Sequence, residues 1–386
     1  MNKVPKLRFK EFSEEWEEKR LGEVSEIIMG QSPSSSKYNE NFNGLPLIQG
    51  NADCKNRKVF PRIYTTEITK ESFPNDIIMT VRAPVGAISL SNIHSCIGRG
   101  VCAIRNASNF IYHYLIKLED SWDKLAQGST FTAVNSNNIK NLKINLPLLQ
   151  EQEKIADFLS SVDKKISIIE EKLDLFKDYK KGIMQKIFKQ ELRFKDSNGN
   201  DYPEWEEKRL GDVFSFKQGY QIPFKEQIKI KEKGYVRYLY ISDFFSDKNL
   251  LYVKDDGKEK ITETDITVAN TGNTAGSFYR GKSGILSNNM FNIQNDEKVV
   301  TNDFLFQFLG TSLYSNQLKT FFNSSGQPHL GHKNMSMIII NYPVSFEEQQ
   351  KIANFLSSID KKNDNLATEL ENLKEFKKGL LQQMFI

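Results

Sequence analysis

Gly276-Ser-Phe-Tyr-Arg-Gly-Lys-Ser283 satisfies GxxxxGK[ST], the pattern of a phosphate-cradling loop. That chemistry needs a buried strand before the loop and a helix opening at the Lys-Ser, so that backbone N–H groups and the helix dipole face the phosphates. The next residues, Gly284-Ile-Leu-Ser-Asn-Asn289, make a poor helix start, and no apolar strand ending in an acidic Mg²⁺ ligand lies nearby. The segment reads as a β-hairpin. His329-x-x-His332 could hint at a metal, but no cysteine or third ligand accompanies it at a recognised spacing. An adenine methyltransferase would need a Gly-rich cofactor loop and an Asn/Asp-Pro-Pro-aromatic clamp. Asn145-Leu-Pro147 and Asn341-Tyr-Pro343 are not that clamp. Four histidines at unrelated positions make no Ser/His/Asp constellation. The expectation is a chain without catalysis, cofactor or metal.

With chemistry set aside, charge is the next guide. Residues 19–150 hold 15 Lys and Arg against 10 Asp and Glu, and residues 208–346 hold 17 against 13. The stretches 151–190 and 347–386 are close to neutral, and 191–207 is acidic. The positive excess of a chain with net charge +4 therefore sits in two separate stretches. Such stretches suit a polyanion, because Lys and Arg that neutralise phosphates release counterions. No run of about 18 apolar residues exists and the first thirty residues are charged, so neither a membrane span nor a secretory signal is expected. Cys54, Cys96 and Cys102 form no CxxC pair, which fits reduced thiols and a cytoplasmic setting.

The elements that position those stretches are written twice. Glu15-Trp-Glu-Glu-Lys-Arg-Leu-Gly-Glu-Val24 returns as Glu204-Trp-Glu-Glu-Lys-Arg-Leu-Gly-Asp-Val213. Glu151-Gln-Glu-Lys-Ile-Ala-Asp-Phe-Leu-Ser-Ser-Val-Asp-Lys-Lys165 returns as Glu348-Gln-Gln-Lys-Ile-Ala-Asn-Phe-Leu-Ser-Ser-Ile-Asp-Lys-Lys362. Between these frames the two copies hardly resemble each other. From the second motif onward the apolar positions alternate spacings of four and three, the a/d seam of a coiled coil. The first seam is Ile155, Leu159, Val162, Ile166, Ile169, Leu173 and Phe176, continuing to Ile183 and Ile187. The second is Ile352, Leu356, Ile359, Asn363, Leu366, Leu370 and Leu373, continuing to Leu380 and Met384. Each predicts a helix of about 36 residues, roughly 55 Å long. Two narrow apolar stripes in one chain are expected to pair with each other, antiparallel if the repeats are related by a two-fold axis.

Lys180 and Lys377 interrupt the seams at equivalent places, and snorkelling is expected over a meeting with a carboxylate. Lys-Lys-Gly at 180–182 and 377–379 puts a glycine inside each helix, which predicts a close contact or a bend there. Leu192-Arg-Phe-Lys195 repeats Leu7-Arg-Phe-Lys10, so both ends of the sequence are expected to lie near each other.

Residues 20–147 and 209–343 read as mixed α and β. Strands are predicted at 76–81 and 261–268, helices at 110–126 and 303–322. Each stretch then reaches a short apolar strand (142–146; 337–340) and a proline, Pro147 or Pro343. The two units are expected to share a fold.

The order LRF, EW, RLG, a Gly-rich strand–loop unit, then EQ.KIA.FLSS.D and a long helix with KKG, given twice, resembles the specificity (S) subunit of type I restriction–modification systems. The resemblance covers the whole chain. Val81-Arg-Ala-Pro-Val-Gly86 with Cys96-Ile-Gly-Arg-Gly100 also resembles one class of that family's target-recognition domains. It implies an α+β fold of two mixed α/β target-recognition domains separated by an antiparallel intramolecular coiled coil, pseudo-two-fold symmetric. The expected division is a first recognition domain at 1–150, a first long helix at 151–190, a second recognition domain at 191–346 and a second long helix at 347–386. Each domain would read one half of a bipartite duplex DNA target. The helices would set the spacing and dock two methylation subunits, with restriction subunits joining later. The S subunit itself performs no chemistry. A coiled-coil adaptor binding an acidic partner other than DNA is the alternative from another class.

Base edges in the major groove are read by Arg or Lys on guanine and Asn or Gln on adenine, while Ser, Thr and backbone groups take phosphates. In the first unit the candidates are Gln31, Ser32, Arg57, Lys58, Arg62, Arg82, Arg99, Gln127, Ser129 and Thr130. In the second they are Gln218, Gln221, Asn270, Asn273, Arg280, Lys282, Asn288, Asn289, Gln327, His329 and Lys333. Arg82 and Arg280 are favoured, as arginines at comparable positions beside a Gly-rich loop.

Overall fold

A computed structural model describes residues 4–127, 134–295, 299–322 and 328–386. The chain divides into two compact units: Met1–Lys172 with Leu366–Ile386, and Leu173–Asn365.

In the first unit the strand Ile77–Thr80, Ile-Ile-Met-Thr, is wholly buried at the centre of a six-stranded sheet. It pairs antiparallel with Val101–Arg105 on one side and Ile88–Leu90 on the other. A five-stranded sheet holds Leu45–Ile48 parallel to Ser95–Ile97. The helix Asn109–Gln127 lays Phe110, Tyr114 and Leu115 into a core shared with Trp16, Leu21, Ile155 and Leu159. The motif Glu17–Arg20 forms a two-stranded ribbon with Lys143–Leu146, the short apolar strand before the long helix.

The second unit repeats this plan with fewer strands. Ile266–Ala269 is the buried strand, paired with Met290–Gln294 and Phe278–Tyr279. Tyr235–Leu239 runs parallel to Ile285–Leu286, and Trp205–Arg209 pairs with Ile339–Pro343. The helix expected at 303–322 is two helices, Asn302–Leu309 and Ser312–Phe321. Gly310 ends the first, and Thr311 caps the second by accepting from the Tyr314 N–H.

Backbone hydrogen bonds show how closely the dissimilar stretches agree. Gly30 N–H donates to Val101 O and Gly219 N–H to Met290 O. Gly98 N–H donates to Ile48 O and Ser287 N–H to Leu239 O. Val81 N–H donates to Gly100 O and Asn270 N–H to Asn289 O. These bonds depend on backbone position alone, so side chains were free to change around them.

The long helices run unbroken over Leu149–Phe188 and Phe346–Met384. Their pairing is antiparallel within each unit. In the first, Asp163 meets Lys377 and Glu170 meets Lys374. In the second, Lys180 meets Asp360 while Lys362 lies over the Phe176 ring. The seam positions Ile155, Leu159, Ile166, Ile169, Leu173, Ile352, Leu356 and Ile359 are buried; Val162, Phe176, Asn363, Leu366, Leu370 and Leu373 are half-buried. Asn363 buries its Oδ1 without a hydrogen-bond partner. Neither seam lysine snorkels. Lys377 Nζ lies 2.5 and 2.7 Å from the Asp163 carboxylate, and Lys180 Nζ lies 2.5 Å from Asp360 Oδ1. At Lys377 burial outweighs the Asp163 carboxylate, so the ammonium pKa lies below the ordinary lysine value even with its partner in place.

The repeated Glu-Gln of the helix motif has a structural role. Glu151, 1% exposed, takes a bidentate pair from Arg8 at 2.7 Å, and Glu348 takes the same from Arg193. Each LRF segment is thereby fastened to the start of a long helix. At the helix ends, Leu7 N–H donates to Gln383 O and Leu192 N–H to Lys186 O, so residues from both ends of the sequence do adjoin. Phe385 packs on Trp16 and Phe110 as Phe188 packs on Trp205 and Phe304.

Candidate nucleic-acid interface

In the first unit four strands end, and a fifth begins, on one rim. Glu26–Met29, Leu45–Ile48, Ile77–Thr80 and Ser95–Ile97 lead into it and Val101–Arg105 leaves it. The turns crowd: a Cβ on Gly30 would lie 2.2 Å from Gly98 O, and one on Gly100 would lie 2.0 Å from Gln49 O. Only glycine permits that approach. The crowding gathers Gln31, Ser32 and Arg99, with Gln31 N–H on Ile97 O and Arg99 N–H on Ser32 Oγ. Arg82, exposed, follows Val81 on the same rim. Gln49 belongs there too and was missed; its Nε2 donates to Tyr38 Oη. Its signal in the sequence was a glutamine followed by glycine at a strand end.

The second unit builds the equivalent rim from amides. A Cβ on Gly219 would lie 2.1 Å from Ser287 O. Gln218 Nε2 donates to Asn288 O at 2.6 Å, and Asn270 Nδ2 donates to the same carbonyl at 3.3 Å. Asn289 accepts from the Asn270 N–H, and His329 bridges to Thr271. Asn273 sits in the turn Gly272–Thr274, Gln221 follows Tyr220, and Lys333 lies on the short helix His332–Ser336. His329 and His332 do not converge as ligands. His332 Nε2 meets Gln218 Oε1 at 3.1 Å and its ring stands edge-on to Phe291; burial, with His329 adding to it, lowers its pKa. Among the described residues no group of three His, Cys, Asp or Glu could hold a metal.

Other candidates lie elsewhere. Arg57 makes a bidentate pair with Glu119 at 2.6 and 2.8 Å, and with Lys58 it lines a cavity of about 640 Å³ beside the long helices. Arg62 pairs with the buried Asp53, whose carboxylate accepts from the Gln49 and Gly50 N–H groups, so Arg62 stands behind the rim. Arg280 stacks 3.9 Å from the Phe306 ring centroid and pairs with Asp303. Lys282 pairs with Asp247, and Lys282 and Arg237 hold that carboxyl below the usual range. Arg82 and Arg280 are not at comparable positions. Arg82 follows the central strand, whose counterpart leads to Asn270 and Thr271, whereas Arg280 follows the outer strand Phe278–Tyr279. The phosphate-loop pattern is the return of that hairpin, with Gly281 and Gly284 at positive φ and the strand Ile285–Leu286, not a helix, directly after Ser283 and Gly284. Ser129, Thr130 and Gln327, and the side chain of Gln127, lie outside the described residues.

Chemically, each rim offers hydrogen-bond donors and acceptors on a rigid backbone frame. The first carries guanidinium and amide groups, the second mainly amides and imidazole. All three cysteines are free, Cys54 half-buried and Cys96 and Cys102 buried. No described helix is long and apolar enough to cross a membrane.

The sequence pattern of the type I restriction modification DNA specificity domain matches residues 13–176 and again 202–375. The putative type I restriction enzyme MjaX specificity subunit of Methanocaldococcus jannaschii is 35% identical over 192 residues, 48% of this chain and 45% of that protein. The MjaIX specificity subunit of the same organism is 28% identical over 252 residues, 58% of this chain and 56% of that one. The chain thus spans about half the length of these two relatives. A crystal structure of a type I restriction–modification S subunit from M. genitalium superposes with a TM-score of 0.67 at 18% identity, covering 99% of both chains.

Proposed function

Because the chain belongs to the family of type I restriction modification DNA specificity domains, which it matches twice, we propose that it is the sequence-reading subunit of such a system and performs no chemistry itself. Each recognition domain reads one half of a bipartite duplex target through its rim. The paired helices separate the domains and dock two methylation subunits, with restriction subunits joining that complex in the cytoplasm. One observation carries the reading: two rims share their backbone hydrogen bonds residue for residue while presenting different side chains. A frame that holds position and lets contents vary is what two different half-sites require, since phosphate contacts position and base contacts specify.

On the rims Gln31, Arg82 and Arg99, and Gln218, Asn288 and Asn289, are the base-reading candidates. Arg280 and Lys282, already paired with carboxylates, serve as weaker phosphate contacts. Functionally the division is recognition domains at 1–150 and 191–346 and helices at 151–190 and 347–386. Sequencing of methylated sites in cells holding this chain and its methylation partner tests the reading. Exchange of residues 20–147 for another recognition domain is expected to change one half-site only. Lengthening both helices should alter the spacer and leave the half-sites alone; an unchanged spacer would refute the reading that the helices set the spacing.

A further inference from the structure

Tyr38 and Gln49 in the first unit correspond to Gln227 and Tyr240 in the second, the same two residue types in exchanged places. Backbone bonds fix the correspondence. Gly30 and Gly219 donate to Val101 O and Met290 O, and eight residues on from each stand Tyr38 and Gln227. Each follows a single 3-10 turn, Ser35–Lys37 or Phe224–Glu226, and its N–H donates to the first carbonyl of that turn. On the facing side Ile48 and Leu239 accept from Gly98 and Ser287, so Gln49 and Tyr240 come next along equivalent strands. The N–H of each donates at 2.8 Å to an aspartate, Asp53 or Asp243. Between the glycine and the exchanged residue, at 31–37 and 220–226, no position holds the same residue type in both units.

Despite the exchange, the side-chain bonds run in the same direction. Gln49 Nε2 donates to Tyr38 Oη at 3.1 Å, and Tyr38 Oη donates to Pro33 O at 3.2 Å. Tyr240 Oη donates to Gln227 Oε1 at 3.1 Å, and Gln227 Nε2 donates to Ile222 O at 2.8 Å. A phenol and a primary amide each give and take a hydrogen bond at the tip, so either can fill either place in such a relay. They differ in reach. One long ring and one shorter amide span the gap in both orders, whereas two amides fall short and two rings collide. What the units share is therefore the bond, and it ties the first rim loop to a strand end. In the first unit that loop carries Gln31 and Ser32, and Ser32 Oγ accepts the Arg99 N–H. In the second it carries Gln221. All four relay residues are half-buried. One such bond adds only about 1 kcal/mol to stability, but hydrogen bonds to base edges weaken steeply once the reading loop shifts.

We propose that Tyr38–Gln49 and Gln227–Tyr240 are equivalent positioning pairs, each setting base discrimination at its own half-site by holding the first rim loop. The proposal rests on the sequence-reading role above and deepens it, because the residues act as a pair and not as separate base readers.

The test uses the full chain in complex with its cognate methylation subunit. The probes are duplexes carrying the target found by methylated-site sequencing, and competitors with one or the other half-site scrambled. Tyr38→Gln and Gln49→Tyr should each lower discrimination at one half-site about tenfold, the worth of one hydrogen bond, and spare the other half-site. Tyr38→Phe, which keeps the ring and loses only the hydroxyl, should do the same, with the thermal midpoint within about 4 °C of wild type. The exchange variant Tyr38→Gln/Gln49→Tyr copies the order of the second unit and should recover discrimination to within about threefold of wild type. Gln227→Tyr/Tyr240→Gln should behave alike at the other half-site. Full discrimination in the folded single variants overturns the relay and leaves the sequence-reading role intact. A folded exchange variant that stays deficient makes the residues individual readers and also overturns it. Loss at both half-sites with a lowered thermal midpoint assigns the pair to fold stability alone, which overturns it as well. Equal binding of target and competitors by the wild-type complex overturns both the relay and the role it rests on.

Discussion

The two units place the same ion pair at the same point and surround it differently. In the first, Lys377 and Asp163 lie against His113, whose Nε2 is 3.2 Å from Ser160 Oγ and whose Nδ1 is 3.8 Å from Asp163 Oδ2. In the second, Lys180 and Asp360 lie against Gln307, which donates to Ser357 Oγ and Asp360 Oδ2, each at 3.2 Å. The serine, the aspartate and the lysine are repeated; the residue from the recognition domain is not. Glutamine and histidine are interchangeable there only if the histidine is neutral. It is: burial first, then the Lys377 ammonium, push the His113 pKa down to about 3. The helix frame therefore asks each recognition domain for one neutral polar group and leaves its identity open. Burial differs as well, with the Lys377 side chain 8% exposed and that of Lys180 20%.

The most damaging changes should be those that treat both units alike. Arg8→Ala strands Glu151, 1% exposed, and should cost about 4 kcal/mol in urea unfolding, the order expected for breaking a buried pair; Arg193→Ala leaves Glu348 the Trp205 Nε1–H at 3.2 Å and should cost about 3 kcal/mol. A larger loss at Arg193 than at Arg8 would show that the Trp205 hydrogen bond does not shield Glu348. Lys377→Met should cost about 3 kcal/mol and Lys180→Met about 1 kcal/mol, because the second pair keeps more water. A reversed order would break the comparison.

His113→Gln rebuilds the first junction as the second. At pH 7 it should change stability by less than about 1 kcal/mol, since both side chains are neutral. In the wild type His113 binds a proton near pH 6.5 when unfolded but only near 3 when folded, so its contribution is complete above pH 6.5 and is lost as pH falls toward 3. At pH 4.5 the variant should therefore be the more stable by about 3 kcal/mol. Equal acid losses for both proteins would show that His113 is not held neutral. At the rims, Gln49→Ala should leave stability within about 0.5 kcal/mol and alter preference at one half-site, read from methylated-site sequencing.

Much of this was legible in the residues. The duplicated motifs gave the repeat, and the alternating spacing of four and three gave two long helices with their apolar faces. The helix at 110–126 was placed within a residue of Asn109–Gln127. The split of the 303–322 segment was not foreseen, because Gly310-Thr311 reads equally as a tolerated glycine within a helix. The rims were half legible. Gln31, Ser32, Arg82 and Arg99 come together, but Arg57, Arg280 and Lys282 resemble them in type and are taken up by Glu119, Asp303 and Asp247. Loop composition does not say which cation finds a carboxylate at home. The correspondence of Asp53 with Asp243, each capping a turn and each held by an arginine, was invisible because no neighbouring residue is shared.

What the sequence determined alone is whatever repeats along the chain: the frame motifs and the helix period. Periodicity is a local property, and 3.6 residues per turn converts it directly into a face. What only the tertiary structure decided is which side chains meet across long separations: that Lys377 finds Asp163, that Arg8 finds Glu151, and that Gly182 and Gly379, given a Cβ, would find nothing within 4 Å. Those outcomes depend on where unrelated segments come to rest, and no spacing along the chain records them.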